Sequence, residues 1–188
     1  MSLRLLLPAV LVAAVLTAVV GVPVRELYQR PVRAAAEPVV APSSSVPRDA
    51  QPGSPAVRLS VDAAQHPDGA RVRDVLQDHF DAINAHDYAR WTRTVTAERT
   101  RRTPRARWEA EYESSRDGTI QVLRVETASR TRLRVLMTFV STQDVAKAPP
   151  DLRSDCITWR VVYPMQVEAG GLRVDSGTEG AGSQAAAC

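Results

Sequence analysis

The feature that most constrains the fold is an apolar helical stripe in the segment 68–91, DGARVRDVLQDHFDAINAHDYARW. Its apolar residues recur at i, i+3, i+4, i+8 and i+11, which is the spacing of a helix face that packs on a core: Val72, Val75, Leu76, Phe80 and Ile83. We therefore predict a helix over about 70–85. The stretch from Asn84 to Asp87 carries stop and restart signals, so a second short helix is expected to begin after Asp87.

Two further elements are predicted around this helix. Val57, Leu59 and Val61 alternate with polar residues, which favours a short edge strand. Thr103-Pro104 is a typical start for a third helix, which should extend to about Ser115, where Asp117-Gly118 then turns the chain.

Beyond Gly118 the apolar period changes from helical to two, which indicates strands. We predict strands over Thr119–Thr127 and Arg132–Gln143. The clearest strand has one unbroken apolar face made by alternate residues: Ile157, Trp159, Val161, Tyr163, Met165 and Val167. Ala169-Gly170-Gly171 is then predicted to form a hairpin turn into a last strand at 172–176, and the tail 177–188 is expected to be irregular.

Helices followed by a run of antiparallel strands predict an α+β domain over 57–188, with the N-terminal helices packed on a curved sheet. The segment VLQDHFDAINAHDYARW resembles the opening helix pair of nuclear transport factor 2-like (cystatin-like cone) domains, which often contain an Asn-x-x-Asp-Tyr/Phe break. The segment CITWRVVYPMQVEAGGLRVDS is similar to their final hairpin. The resemblance covers about 65–177 and rests on core packing.

The resemblance implies a cone whose interior holds an acid/base pair in the members that are enzymes. The local positions for such a pair are Asp87, Tyr88, Trp108, Tyr112 and Asp175. None of them matches the catalytic set of the ketosteroid isomerase or dehydratase members. We therefore name no catalytic residue and favour a non-catalytic domain. Five aromatic residues are candidates for lining the cone cavity, with core filling as the alternative: Trp91, Trp108, Tyr112, Trp159 and Tyr163.

The N-terminal region predicts attachment to a membrane. Residues 5–24 contain no charge and are long enough to cross a bilayer core of about 30 Å. We favour an uncleaved signal anchor at 1–24, with a cleaved signal peptide and a secreted soluble domain as the alternative. Residues 25–56 are rich in proline and are predicted to form a disordered stalk. The domain at 57–188 would then face the extracytoplasmic side of a single-pass membrane protein.

The cysteines support that location. Cys156 and Cys188 are the only two in the chain, and outside the cytoplasm an even pair favours a disulfide. Free or intermolecular thiols are the alternative. Two thiols without neighbouring histidines do not complete a metal site, so no metal and no cofactor are predicted. The three histidines, His66, His79 and His86, are expected at the surface or at helix caps.

Charge limits the classes of partner. The segment 57–188 carries 19 Arg and Lys against 18 Asp and Glu, which gives no argument for a nucleic-acid partner. Lys147 is the only lysine, which indicates a GC-rich and plausibly actinobacterial genome. Within 90–107, a group of arginines is the candidate contact for anionic lipid or an acidic partner, with a solvated helix connection as the alternative: Arg99, Arg101, Arg102 and Arg105.

These observations together predict an extracytoplasmic binding or scaffold domain tethered to the cell membrane. The expected partners are the membrane itself and an envelope protein or a second copy of the chain. The alternative function is a carrier or enzyme that uses the cone cavity for a small apolar ligand.

Overall fold

The computed structural model describes residues 46–176 and 183–188. The predicted transmembrane segment, 5–24, and the stalk up to residue 45 lie outside the described residues. Within the described part of the chain, no helix has both the length and the apolar character needed to cross a bilayer.

Five helices are present in the described residues, and the longest is the predicted one. Val72, Leu76 and Phe80 are fully buried, so the stripe packs on the core as expected. Hydroxyl and carboxylate side chains of Ser60, Asp87 and Thr96 cap three of the helices. The helices are α1 (Val61–Gln65), α2 (Gly69–Asn84), α3 (Tyr88–Thr92), α4 (Ala97–Arg102) and α5 (Arg105–Tyr112).

The described strands form one sheet in the order β1-β2-β3-β4-β5, with β6 also paired to β4. Only β1 is parallel to its neighbour, and the other pairs are antiparallel. The pairing register of β2 with β3 shifts at three places, and irregularities of this kind bend a sheet. The strands are β1 (Arg58–Leu59), β2 (Arg116–Ser129), β3 (Arg132–Thr142), β4 (Cys156–Glu168), β5 (Gly171–Val174) and β6 (Gln184–Ala187). The predicted α+β architecture, with helices before an antiparallel sheet, is confirmed.

The predicted turn at Asp117-Gly118 is wrong, because both residues lie inside β2, where Asp117 pairs with Ser141. Glycine is needed there for a different reason. A Cβ atom on Gly118 would lie 2.7 Å from the carbonyl oxygens of Pro52 and Gly53, which cross over it. A side chain at this position would therefore push the incoming chain away from β2.

Residues 46–56, the described end of the segment predicted as a stalk, contact the sheet. The Thr119 amide donates to the Ser54 carbonyl at 2.8 Å, and the Thr119 hydroxyl donates to the Pro52 carbonyl at 2.6 Å. Arg48 forms an ion pair with Asp155 at 2.7 Å. These contacts fix the path of the chain as it enters β1.

Three other boundaries differ from the predictions. Val61 begins α1 rather than continuing the edge strand, because Ser60 caps a helix there. The helix predicted to reach Ser115 ends at Tyr112, and the polar stretch before it forms α4. The tail predicted to be irregular contains β6, which pairs with the first residues of β4. The predicted disulfide between Cys156 and Cys188 is present and fastens the end of β6 to β4.

Candidate functional site

A cavity of ≈ 690 Å³ lies between α5 and the sheet. This volume is within the range of small-molecule sites. Its apolar wall comes mainly from adjacent positions of two strands: Phe139 on β3 is in register with Trp159 on β4, and their rings stack at 6.4 Å between centroids. Ile83 and Val161 complete that wall. The polar groups that line the cavity include Tyr112, Asp117, Ser141 and Tyr163.

Asp117 and Ser141 form the most buried polar pair in this wall. Asp117 is 5% exposed, and its Oδ1 accepts a hydrogen bond from the Ser141 hydroxyl. Asn84 holds the backbone on the other side, since its amide nitrogen donates to the Asp117 carbonyl at 2.9 Å and its Oδ1 accepts from the Asp117 amide at 2.7 Å. Burial raises the pKa of Asp117 to about 6, and the Ser141 hydrogen bond offsets part of that rise. The cavity therefore contains a carboxyl group that titrates close to neutral pH.

The two tyrosines remain neutral phenols at this pH. Burial raises the pKa of Tyr112 and of Tyr163, and the nearby Arg99 guanidinium partly opposes both shifts. Neutral phenols are both donors and acceptors of hydrogen bonds. The cavity thus combines an apolar wall with hydroxyl and carboxyl groups, and its lining also includes the polar residues Arg107, Glu111, Gln143 and Lys147.

Arg99 lies on α4 near two aromatic rings. Its Cζ lies 5.9 Å from the ring centroid of Trp91 and 5.8 Å from that of Tyr163. These distances are those of cation–π contacts. Its Nη1 donates to the Asp175 carbonyl at 3.3 Å, which ties α4 to the chain after β5.

The five aromatic residues proposed from the sequence as cavity lining divide into two groups. Tyr112, Trp159 and Tyr163 line the cavity. Trp91 and Trp108 are 1% and 0% exposed and belong to the core, because α3 and α5 pack their indole rings against each other at 5.7 Å between centroids.

His79 lies in the same core, and its prediction as a surface or cap residue is wrong. The side chain is fully buried on α2, and its Nδ1 is 2.8 Å from the Thr94 hydroxyl. That hydroxyl donates to the Trp91 carbonyl at 2.7 Å, so Nδ1 of His79 must be the donor in the contact between them. Burial, reinforced by the Arg99 charge, lowers the pKa of His79 well below its usual value. The imidazole is therefore a neutral part of the core.

The four arginines proposed as anionic contacts also divide. Arg101 pairs with Glu98, and Arg105 pairs with Glu109 at 2.7 Å on the exposed surface of α5. Arg99 and Arg102 instead face a second cavity described below.

The acid/base positions implied by the resemblance are accounted for by structure. Asp87 caps α3, the Tyr88 hydroxyl donates to the Thr103 carbonyl at 3.1 Å, and Asp175 accepts from the Thr96 hydroxyl at 2.9 Å. The buried carboxyl group that sequence reasoning missed is Asp117. It looked like a turn residue beside Gly118, and only the pairing register of β2 with β3 brings it to Ser141.

Comparison with known proteins adds a structural likeness only. No protein-family profile and no curated protein sequence matches the chain. Among solved structures, the chain is similar to the crystal structure of a Delta 5-3-ketosteroid isomerase from Mycobacterium sp., at 13% sequence identity and a TM-score of 0.38. The match covers 60% of this chain and 96% of the isomerase. At this TM-score the isomerase's activity is not carried over to the chain.

Proposed function

We propose that the domain is a nuclear transport factor 2-like cone that binds a small, mainly apolar ligand in the cavity beside Asp117. The observation that carries the proposal is the cavity itself, ≈ 690 Å³ in volume, with Phe139 and Trp159 on one wall. An apolar wall with a few convergent polar groups is the usual form of a small-molecule site.

A substitution that fills the cavity tests this proposal. Ala110 and Ala106 are both exposed on α5, one turn apart, but Ala110 lines the cavity and Ala106 lines neither cavity. We expect Ala110→Phe to weaken binding of the neutral amphiphile 1-decanol at least about tenfold, because it occupies apolar volume. Ala106→Phe is the matched control and should leave the affinity unchanged.

The readout is the fluorescence of Trp159 in the full-length chain in lipid nanodiscs, with empty nanodiscs as the reference for partition of decanol into lipid. The Trp159→Phe variant supplies the background from the other two tryptophans. Absence of any decanol-dependent change, or equal effects of the Ala110→Phe and Ala106→Phe variants, would contradict the proposal.

The position of Asp117 supports a second candidate function, acid–base catalysis on the bound ligand. A carboxyl group with a pKa of about 6 inside an apolar cavity is suited to removing and returning a proton near neutral pH. The test is exchange of the α-hydrogens of 2-decanone for deuterium in D₂O, followed by mass spectrometry. Catalysis predicts exchange that is lost in Asp117→Asn. Exchange at the background rate in both proteins would contradict catalysis and leave only the binding proposal standing.

We also propose that the cone is presented outside the cytoplasm on the anchor at 5–24. Support comes from the uncharged run in the sequence and from the Cys156–Cys188 disulfide, since disulfides persist in oxidising compartments. N-terminal sequencing of protein recovered from membranes tests the anchor. An intact N-terminus is expected, and a mature N-terminus after residue 24 in soluble protein would contradict it.

A further inference from the structure

A second cavity of ≈ 700 Å³ adjoins the first. The two share Arg107, Val161 and Tyr163 in their walls, so they meet along β4. The second cavity differs in charge, because five arginines and one carboxylate are among its lining residues. The arginines are Arg99, Arg102, Arg107, Arg132 and Arg134, and the carboxylate is that of Asp175.

Three of these arginines have their charge offset by a neighbouring glutamate. Arg102 pairs with Glu98 at 3.0 Å, Arg107 with Glu111 at 2.7 Å, and Arg134 with Glu126 at 3.6 Å. Exposed pairs of this kind leave little net field at the cavity.

Arg99 and Arg132 are different. Within residues 46–176 and 183–188, neither has an ion pair with a carboxylate. The Asp175 carboxylate lines the same cavity, but its Oδ1 accepts from the Thr96 hydroxyl at 2.9 Å and from the Ser176 amide at 2.8 Å. Within the described residues, the cavity therefore presents two guanidinium groups that are not ion-paired, and Arg99 also donates to the Asp175 backbone carbonyl at 3.3 Å.

The surroundings of Arg99 suit it to donating hydrogen bonds to an anion. Its guanidinium carbon lies within cation–π distance of the rings of Trp91 and Tyr163, and the side chain is half-buried. A guanidinium group can bind a carboxylate or a phosphate with two parallel hydrogen bonds. Tyr163 lines both cavities, so Arg99 is placed where an apolar chain in the first cavity would meet its polar end.

We propose that the ligand of this cone is an amphiphile with one anionic head group, carboxylate or phosphate, held by Arg99 and Arg132. Its apolar body lies along Phe139 and Trp159 in the first cavity. This inference rests on the proposed binding function and names the class of ligand.

The test compares probes with the same apolar chain: decanoate, decyl phosphate and neutral 1-decanol, with inorganic phosphate as the head group alone. Affinity is measured with the full-length chain in nanodiscs by Trp159 fluorescence. We expect decanoate or decyl phosphate to bind about tenfold or more tightly than decanol, since hydrogen bonds to charged groups are the stronger class. The better of the two anions identifies the head group.

Substitutions then locate the head group. We expect Arg99→Gln and Arg132→Gln each to weaken binding of the anionic probe about tenfold and to leave decanol binding within about twofold. Arg101→Gln is the matched control, because Arg101 is exposed on α4 and lines neither cavity. Arg132 is exposed at the start of β3, so its variant reports on binding even if Arg99→Gln unfolds.

Each outcome separates the two proposals. Equal affinity for decanol and the anions, or equal effects of Arg132→Gln and Arg101→Gln, would overturn the anionic head group and leave apolar binding intact. Failure of every chain-bearing probe would overturn both proposals. Binding of inorganic phosphate as tightly as decyl phosphate would contradict a role for the apolar body.

Discussion

The aromatic side chains fall into two groups, the core end under the helices and the cavity end at the sheet. The two groups have similar residue types but different environments. Under the helices, Trp91 and Trp108 pack against each other at an angle and Trp91 stacks on Tyr88. The neutral His79 lies beside Trp91. Around the cavity, Trp159 and Tyr163 are half-buried and line the open volume. Aromatic residues alone thus do not identify a binding site. What distinguishes the cavity end is the buried carboxyl group of Asp117 beside the open volume.

Truncation of one tryptophan at each end should show this difference most strongly. Trp108→Ala removes a fully buried ring and should lower the free energy of unfolding by about 3–5 kcal/mol. Trp159→Ala enlarges a space that is already open and should cost less than about 2 kcal/mol. Urea unfolding of the two oxidised variants measures both values. Equal losses would mean that the cavity end is as tightly packed as the core.

Removal of the disulfide should have the next largest effect on the free energy of unfolding, because the bond fastens strands near the cavity. The bond joins residues 32 apart and fastens β6 to β4, so reduction or Cys188→Ser should cost about 3–4 kcal/mol in the chain-entropy model. No disulfide joins the core around Trp108, so the packing of that core should be retained in Cys188→Ser. Urea unfolding with and without reductant gives the value, and no change on reduction would contradict a structural role.

Asp117 predicts a pH dependence of stability with a defined sign. Its folded pKa of about 6 lies above the reference value of 3.8, so the folded state binds more protons between these values. Stability should therefore fall as pH rises from about 4 to about 6, by up to about 3 kcal/mol from this group. In Asp117→Asn this loss should disappear, and the variant should be more stable than the parent at pH 7.5.

The exposed Asp151→Asn variant is the control for this measurement and should keep the pH dependence of the parent. His79 contributes with the opposite sign, because its lowered pKa favours the folded state above about pH 6.5 and weakens it as pH falls. The difference in pH-dependent stability between Asp117→Asn and the parent isolates the contribution of the Asp117 carboxyl group from that of His79.

A smaller effect is expected on ligand affinity. An apolar ligand removes the remaining water near Asp117, which favours its protonated form. Binding of decanol should therefore tighten by about threefold to tenfold as pH falls from 7.5 to 5, and Asp117→Asn should bind equally at both pH values. Tighter binding at the higher pH would indicate that the ionised carboxylate contacts the ligand directly.

Local patterns predicted much of the fold. The stripe of α2, the Asp87 break and the alternating face of β4 are each set by residues close in sequence, and all three are present. The candidate site was harder to predict from the sequence, because it depends on the pairing register between strands. Asp117 meets its partner Ser141 only through the pairing of β2 with β3, and β6 forms from an alanine-rich tail whose last residue, Cys188, is bonded to β4. Residue type alone does not show that Trp91 lies in the core and Trp159 in the cavity wall. The packing of α3 against α5 makes that difference.

The most direct test of the binding account is ¹⁹F NMR of the chain with 5-fluorotryptophan at its three tryptophans. Each resonance is assigned with a Trp→Phe variant, and decanol is then added to the full-length chain in nanodiscs. The account predicts that the Trp159 resonance shifts in proportion to occupancy while the Trp108 resonance stays fixed. An unmoved Trp159 resonance, or equal shifts at Trp159 and Trp108, would contradict a ligand site at the cavity end of the cone.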